Sequence, residues 1–470
     1  MCEHDAMRHV VVIGGGISGL VCALRLSATP AVHVTLLERE TRLGGKIVTQ
    51  HHDGSVIEGG PDGFIAWRPQ GVDLCRELGI EVVRSTPGRS SIIRDGRPSP
   101  IPAGIAGVLP TSIMPTLRSP LIGLRAKARL LTEVARRRRR GDGDESVAAF
   151  VARRAGRDVW DRIVEPLITG MYAANGELLS AQATTPLLVA AEREHGSLTR
   201  AALVARRRAR RSSAPKRATG GAPVFCTTAD GMDGIVRAIE ARLAGVTDVR
   251  TDACVTALER TSGGWTVRLS DEVIAADAVV VATPAFVAAG LLRGVDPVLG
   301  DELAAIPFAD TSVVGFVFPA GSVPANAGLG YVVPASEGTP VVACSVSSAK
   351  FPELVGGDRQ VVRVYVGRHG DDSQSLSDDE TIAIARRHLA STVNVDAAPI
   401  WSTVVRMPSA FPQYVVGHRE RVARIAACVA RHPALVLTGA SYDGIGIPDC
   451  ISAGRASADQ VAEHLERLNV

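Results

Sequence analysis

The stretch His9-Val10-Val11-Val12-Ile13-Gly14-Gly15-Gly16-Ile17-Ser18-Gly19-Leu20 decides the fold. Residues 10–13 form a continuous apolar, β-branched run, which predicts a strand covered on both faces. Glycines follow at once, then residues 20–26 at helical spacing, then a second apolar run, Val32–Leu37, ending at Glu38. Strand, turn, helix and strand within forty residues make a βαβ unit. Gly14-x-Gly16-x-x-Gly19 sits where a dinucleotide fingerprint must sit. Its first glycine permits the tight turn, the second lets a pyrophosphate approach the backbone, and the third lets helix and strand pack closely. The phosphates would meet the helix N-terminus, with its unpaired N–H groups and positive dipole end. Glu38 is placed to accept adenosine ribose hydroxyls, and an acid there disfavours a 2′-phosphate, which argues against NADP.

NAD and FAD share that turn, so the segments outward from it must choose between them. Arg42-Leu43-Gly44-Gly45-Lys46 and Glu58-Gly59-Gly60-Pro61 bring bare backbone towards a cofactor longer than NAD. Near the other end, Leu437-Thr438-Gly439-Ala440-Ser441-Tyr442-Asp443-Gly444-Ile445-Gly446-Ile447-Pro448-Asp449-Cys450-Ile451 places glycines where backbone amides could reach a flavin. A helix starting near Asp449 would aim its N-terminus at the N1–C2 oxygen region, where negative charge forms on reduction. FAD is the expected cofactor.

Two further apolar strands are expected, 278–282 ending in Thr283-Pro284 and 434–438 ending in Gly439-Ala440, with a final helix over 451–468. One sheet assembled from the start, middle and end of the chain explains them. The expected fold class is α/β: a Rossmann-like FAD-binding domain from 1–90, 216–289 and 416–470, with an inserted α+β substrate domain, 290–415. Residues 91–215 form a helical, Arg-rich subdomain facing substrate or membrane. Within it, residues 125–140 read as an amphipathic helix ending in five arginines, and residues 193–217 as a helix breaking into a loop.

Composition bounds the function. The 470 residues are 46% apolar and 21% charged, with a formal net charge of +3, too small to imply nucleic acid as partner. Eight cysteines without a CxxC pair speak against zinc or a disulfide framework, and read as small buried residues in a reducing compartment. The histidines form no HxxxH or HxH pattern, so no metal site is expected. The best candidate for a membrane span, residues 275–292, contains Asp277 and Pro284 and reads as a buried strand, a turn and a helix start. The first apolar run is a strand, not a signal peptide. A cytoplasmic protein is expected, with attachment to a membrane surface left open.

The pattern Glu38-x-x-x-Arg42-x-Gly44-Gly45 resembles the amine-oxidase-like flavoprotein superfamily. The run from Gly439 to Ile451 resembles the C-terminal signature of the porphyrinogen oxidases, the protoporphyrinogen IX and coproporphyrinogen III oxidases of haem synthesis. The turn from Gly14 to Leu20 agrees with that family. So do Val164-Glu165-Pro166-Leu167-Ile168-Thr169-Gly170-Met171-Tyr172-Ala173, like its substrate-domain motif, and Gly328-Leu329-Gly330-Tyr331-Val332-Val333-Pro334, like its pocket strand. The resemblance implies cofactor contacts from Gly14, Gly15, Gly16, Ile17, Ser18, Gly19, Glu38, Arg39 and Lys46. It adds Gly60, Pro61, Asp62 and Gly63, then Val255 in a strand 253–258, and Ala440, Ile445, Gly446 and Ile447 along the flavin. Gly170 should lie over the substrate macrocycle, with Leu329 and Val332 sandwiching a pyrrole ring. Plant and animal protoporphyrinogen oxidases have a pocket arginine that pairs a propionate. The matching position here is Ser90, beside Arg89, and Arg68 is the candidate replacement.

The activity implied is oxidation of a porphyrinogen by six electrons, taken two at a time, with three O2 consumed and three H2O2 released. Hydride would leave a meso carbon for flavin N5 while a pyrrole N–H loses the proton. No side chain is nominated as catalytic; the protein's task is orientation in a dry apolar slot. Coproporphyrinogen III, with four propionates, is favoured over protoporphyrinogen IX by the missing pocket arginine, the Arg-rich segments and the lack of an apolar anchor. An amine oxidase would be expected to set an aromatic pair before the flavin, and the C-terminal segment offers only Tyr442. A carotenoid desaturase should show a longer apolar entry surface, and a flavin-bound scaffold without turnover would not need the pocket segments. Porphyrinogen and O2 are the expected partners, with a ferrochelatase-type product acceptor left open.

Overall fold

The computed structural model describes residues 7–103, 105–106, 109–110, 113–139, 141, 143–211 and 224–468. Five parallel strands form the first sheet, in the order Asp248–Arg250, Val32–Leu37, Arg8–Ile13, Ala278–Val281, Leu435–Leu437. The apolar runs are continuous because both faces are covered. Val10, Val12, Val34 and Leu36 face the helices Ile17–Leu26, Asp233–Leu243 and Ile447–Leu468. Val11, Ile13, Val279 and Val281 face the helix Ala285–Leu292 and the strands around Trp265. Each such side chain, taken fully from water, contributes about 1.5–3 kcal/mol. The candidate span thus resolves into a strand, a turn and a helix, and no helix among the described residues is long and apolar enough to cross a membrane.

The second sheet has seven strands, in the order Trp401–Pro412, Phe308–Pro319, Arg359–Val366, Val341–Val346, Gly330–Val332, Ser90–Arg94, Arg97–Pro100. One face packs on the helix Asp378–Val393 through Val314, Phe316, Val362, Val364 and Leu389; the other meets Ile57 and Gly59 through Val317, Val361 and Val405. Residues 91–100, read from sequence as part of the helical unit, lie in this sheet. Ile92 and Ile93 point to opposite cores, the alternation of a strand, and Ser90–Arg94 runs parallel to Gly330–Val332.

The helical unit packs around Phe150, Trp160, Ile163 and Leu188. A π-helical turn, Trp160–Val164, leads into the helix Glu165–Tyr172 that carries Gly170. Such turns recur at functional sites. The helix expected over 125–140 runs only over Leu124–Leu131, followed by a 3-10 turn, Glu133–Ala135. Consecutive arginines after it repel at i,i+3 and i,i+4 spacing, and Glu133 turns inward to pair with buried Arg154. The reading of 193–217 becomes two helices, Pro186–His195 and Leu198–Arg211, broken at Gly196 in left-handed geometry; Gly220-Gly221 lies outside the described residues. The strand expected over 253–258 begins only at Ala257, because the Ala253 amide is drawn to the Glu38 carbonyl at 2.8 Å. The last helix starts at Ile447, with Pro448 in its first turn, where no N–H is needed. Of the described cysteines, Cys254 is exposed, against the expectation of burial.

Candidate active site

The turn after the first strand is built by close backbone contacts. A Cβ on Gly19 would lie 1.9 Å from the Gly14 carbonyl oxygen, so the helix rests directly on the turn. Gly16 is the opposite case: nothing lies within 4 Å of where its Cβ would be, and no side chain caps the helix it begins. That open, uncapped N-terminus fits a diphosphate. The buried Glu38 carboxylate accepts from the Gly15 amide at 2.6 Å and the Glu40 amide at 3.0 Å. Two carboxylate oxygens offer about four acceptor sites, which leaves capacity for ribose hydroxyls. Arg39 is exposed, its guanidinium paired with Glu40 at 3.0 Å. Val255 is half-buried in the irregular segment that the Glu38 carbonyl holds beside the acid.

The paired glycines stack loops on this turn. The Gly44 amide donates to the Gly15 carbonyl at 2.8 Å, and the Gly59 amide donates to the Val48 carbonyl at 2.7 Å. A Cβ on Gly60 would sit 2.0 Å from the Lys46 carbonyl oxygen. Within residues 60–63 the Asp62 carboxylate is committed elsewhere, to Lys350 at 2.9 Å, Arg363 at 3.1 Å and Ser345 at 3.2 Å. Burial would raise its pKa, but Lys350 and Arg363 hold it down at about 2. The Asp62 side chain is thus engaged within the protein, and the backbone of residues 60–63 is what this loop can offer a cofactor.

Lys46 is an exposed residue whose Nζ donates to the Ala410 carbonyl and lies 5.8 Å from the Phe308 ring centroid. Desolvation of the ammonium by the surrounding protein lowers its pKa to about 8. Without cofactor the ammonium loses its proton above that pH, whereas a diphosphate would favour the charged form. Flavin affinity should therefore fall as pH rises through about 8 in a fluorescence titration, and Lys46→Met should flatten that profile. An unchanged slope in Lys46→Met would remove the assigned contact.

The C-terminal loop carrying Ala440, Ile445, Gly446 and Ile447 is clamped from outside by a residue the sequence did not single out. Tyr414 donates its hydroxyl proton to the Ala440 carbonyl at 2.6 Å and accepts from the Gly444 amide at 2.8 Å. Its ring stacks on His418 at 4.0 Å, which meets the Tyr442 carbonyl at 3.0 Å. Tyr414→Phe removes both loop bonds and strands their partners, about 1–3 kcal/mol. A flavin should bind roughly tenfold or more weakly by calorimetry; wild-type affinity would deny Tyr414 this role. Scarcity was the available signal, since the chain has only five tyrosines. Arg68 pairs with Asp449 at the start of the last helix and remains half-exposed.

On the second sheet, Val332, Ala343, Tyr365, Val313 and Val405 stand directly opposite one another on successive strands. Opposed residues share a face. Gly170 closes on one end of this row, where a Cβ would lie 2.6 Å from Val332, and Gly59 on the other, 2.6 Å from Val405. Tyr365 stands between them, partly exposed, and its hydroxyl makes no hydrogen bond to a described residue. Gly170 and Val332 are thus in direct contact, while Leu329 packs on Gly88, its amide donating to the Arg89 carbonyl at 3.0 Å. A separate cavity of about 630 Å3, lined by Trp160, Glu165, Thr169, Gly176 and Arg368 among others, includes none of the row or the turn.

Residues 17–462 match the family of flavin containing amine oxidoreductases. The chain is 31% identical to the coproporphyrinogen III oxidase of Bacillus subtilis, over 98% of this chain and 99% of that one. It is 30% identical to the protoporphyrinogen oxidase of Macaca fascicularis, over 97% and 98%. A solved structure from Exiguobacterium, provisionally named a protoporphyrinogen oxidase, superposes with a TM-score of 0.83 at 27% identity, covering 98% and 99%.

Proposed function

The chain belongs to the flavin-containing amine oxidoreductase family, and within it we propose an FAD- and oxygen-dependent oxidase that converts coproporphyrinogen III to coproporphyrin III in haem biosynthesis. The observation that carries this reading is the row from Val332 to Val405, an apolar wall that runs from under Gly170 to under the Gly59–Gly60 cofactor loop. It is joined by full-length similarity to coproporphyrinogen III oxidases.

FAD suits the site better than a mononucleotide, because the Gly14–Gly19 turn and Glu38 form a device for a diphosphate and an adenosine ribose. When bound, the flavin supplies a two-electron acceptor, so a porphyrinogen losing six electrons needs three rounds. The chain's own residues then bind, orient and exclude water. The row carries no carboxylate or imidazole, and its one polar group, the Tyr365 hydroxyl, is free to accept from a pyrrole N–H. Gly170 packs directly on Val332, which sets the helix Glu165–Tyr172 against one end of the row. Arg68, at the mouth, can exchange Asp449 for a propionate.

Steady-state assays with each porphyrinogen, following H2O2 release, test the substrate. The expected result is a kcat/KM for coproporphyrinogen III about tenfold or more above that for protoporphyrinogen IX, narrowed in Arg68→Ala through a higher KM. The reverse order would make protoporphyrinogen IX the substrate. We place the enzyme in the cytoplasm with its helical unit touching an anionic membrane surface. Leu124, Leu131 and Val134 are exposed among Arg125, Arg137, Arg138 and Arg139, and the one acid in that stretch, Glu133, is buried. Flotation with phosphatidylglycerol vesicles, absent with phosphatidylcholine, is expected; no flotation with either would refute the contact.

A further inference from the structure

Arg363 occupies a costly position. It lies mid-strand in Arg359–Val366, fully buried among Val361, Val362 and Val364. A buried charge needs a partner and hydrogen bonds, and a well-packed apolar residue would usually serve stability as well or better. Its guanidinium reaches across to the cofactor unit. Nη2 donates to the Gly60 carbonyl, Nη1 lies 3.1 Å from Asp62, and the guanidinium carbon stands 5.1 Å from the Tyr365 ring centroid. Asp62 is braced from the other side by Lys350, whose Nζ lies 3.9 Å from the Phe225 ring centroid. Gly60 is seated on the Lys46 carbonyl with no room for a Cβ. The Gly59 amide donates to Val48, and the Gly44 amide donates to Gly15 of the diphosphate turn. An unbroken run of backbone contacts therefore leads from Arg363 to the fingerprint. Two residues along its strand, on the same face, stands Tyr365 in the row under the substrate space.

We infer that Arg363 is a positioning residue that fixes the substrate-bearing sheet against the cofactor loop, and so sets how substrate and flavin face each other. This rests on the oxidase reading above. Arg363 touches neither reactant in this account; it acts through Gly60, Asp62 and Tyr365. Misplacement of reacting groups by about 1 Å can cost about 100-fold in rate, so a loose loop should lower the chemical step more than binding.

The test uses the full-length holoenzyme. Arg363→Met/Asp62→Asn removes both charges of that pair and keeps an amide oxygen in place of the carboxylate for Lys350 to donate to, and Arg363→Lys keeps the charge but lacks the fork that spans Gly60 and Asp62. The visible spectrum of bound flavin is read without substrate, and the rate of anaerobic flavin reduction at saturating coproporphyrinogen III with it. We expect shifted flavin bands and reduction slowed about 100-fold in the double variant with little change in substrate affinity, and intermediate values in Arg363→Lys. Wild-type bands and rates in both variants, or a loss confined to melting temperature, would overturn the inference. If the double variant does not fold, Arg363→Lys decides by the same two readings. If the wild-type enzyme is not reduced by the porphyrinogen, the oxidase reading fails, and the flavin bands of the variants still decide whether Arg363 holds the loop.

Discussion

Gly19→Ala should yield a protein that no longer retains flavin. The added Cβ would start 1.9 Å from the Gly14 carbonyl oxygen, a contact with backbone on both sides that no rotamer relieves. The helix Ile17–Leu26 must withdraw by more than an ångström, taking its N-terminal amides away from the diphosphate. Overpacking of this kind costs about 1–3 kcal/mol of stability, and loss of the amide cradle should weaken FAD binding by about 100-fold or more, roughly 3 kcal/mol. Gly16→Val separates the two effects. Its backbone, at φ −70° and ψ 171°, suits valine, and the side chain would project into open space. The apoprotein should melt as the wild type does while FAD affinity falls by a similar factor. A Gly16→Val protein that purified yellow would show that no cofactor approaches there.

Arg154→Met should have the largest effect on stability. Arg154 is fully buried, pairs with Glu133 and lies 3.3 Å from Glu192. Glu133 in turn accepts from the Ser197 hydroxyl at 2.6 Å and from the Leu198 and Thr199 amides at 3.0 Å, tying down the start of the helix Leu198–Arg211. Removing the arginine leaves Glu133 buried beside fewer donors, a change that typically costs about 3–5 kcal/mol. The helix Val147–Arg154 packs through Phe150 and Val151 in the same core as Trp160 and Ile163, at the turn that leads to Gly170. Loosening the helical unit should therefore destroy porphyrinogen oxidation while flavin, bound by the other unit, is retained. Arg154→Met/Glu133→Gln should recover a good part of the loss. A single variant with wild-type melting temperature and turnover would contradict this account of the helical unit.

The cofactor half of the protein was legible because its signals are local. The run Val10-Val11-Val12-Ile13, the glycines after it, and Glu38 at the end of the next strand each have meaning within a few residues, and their geometry follows from backbone packing. The strands 278–282 and 434–438 read correctly for the same reason. Arg363 and Tyr365 were not legible. They stand in a run of valines, and the partner of Arg363, Gly60, is about three hundred residues away in sequence. The short helix Leu124–Leu131 was overextended because what ends it is repulsion among the arginines and an inward ion pair with Arg154, neither visible in apolar periodicity. Residues 253–256 have strand-like composition, yet the Glu38 carbonyl claims the Ala253 amide. The engagement of the Asp62 carboxylate by Lys350 and Arg363 is equally hidden, since both partners lie about three hundred residues away in sequence.

The central claim, that the glycine turn holds a flavin which a porphyrinogen reduces, is tested most directly by anaerobic mixing. The purified holoenzyme should show flavin absorbance near about 450 nm. Coproporphyrinogen III should bleach that band, benzylamine should not, and readmitted air should restore it as coproporphyrin appears. A band that neither coproporphyrinogen III nor protoporphyrinogen IX can bleach would contradict the account.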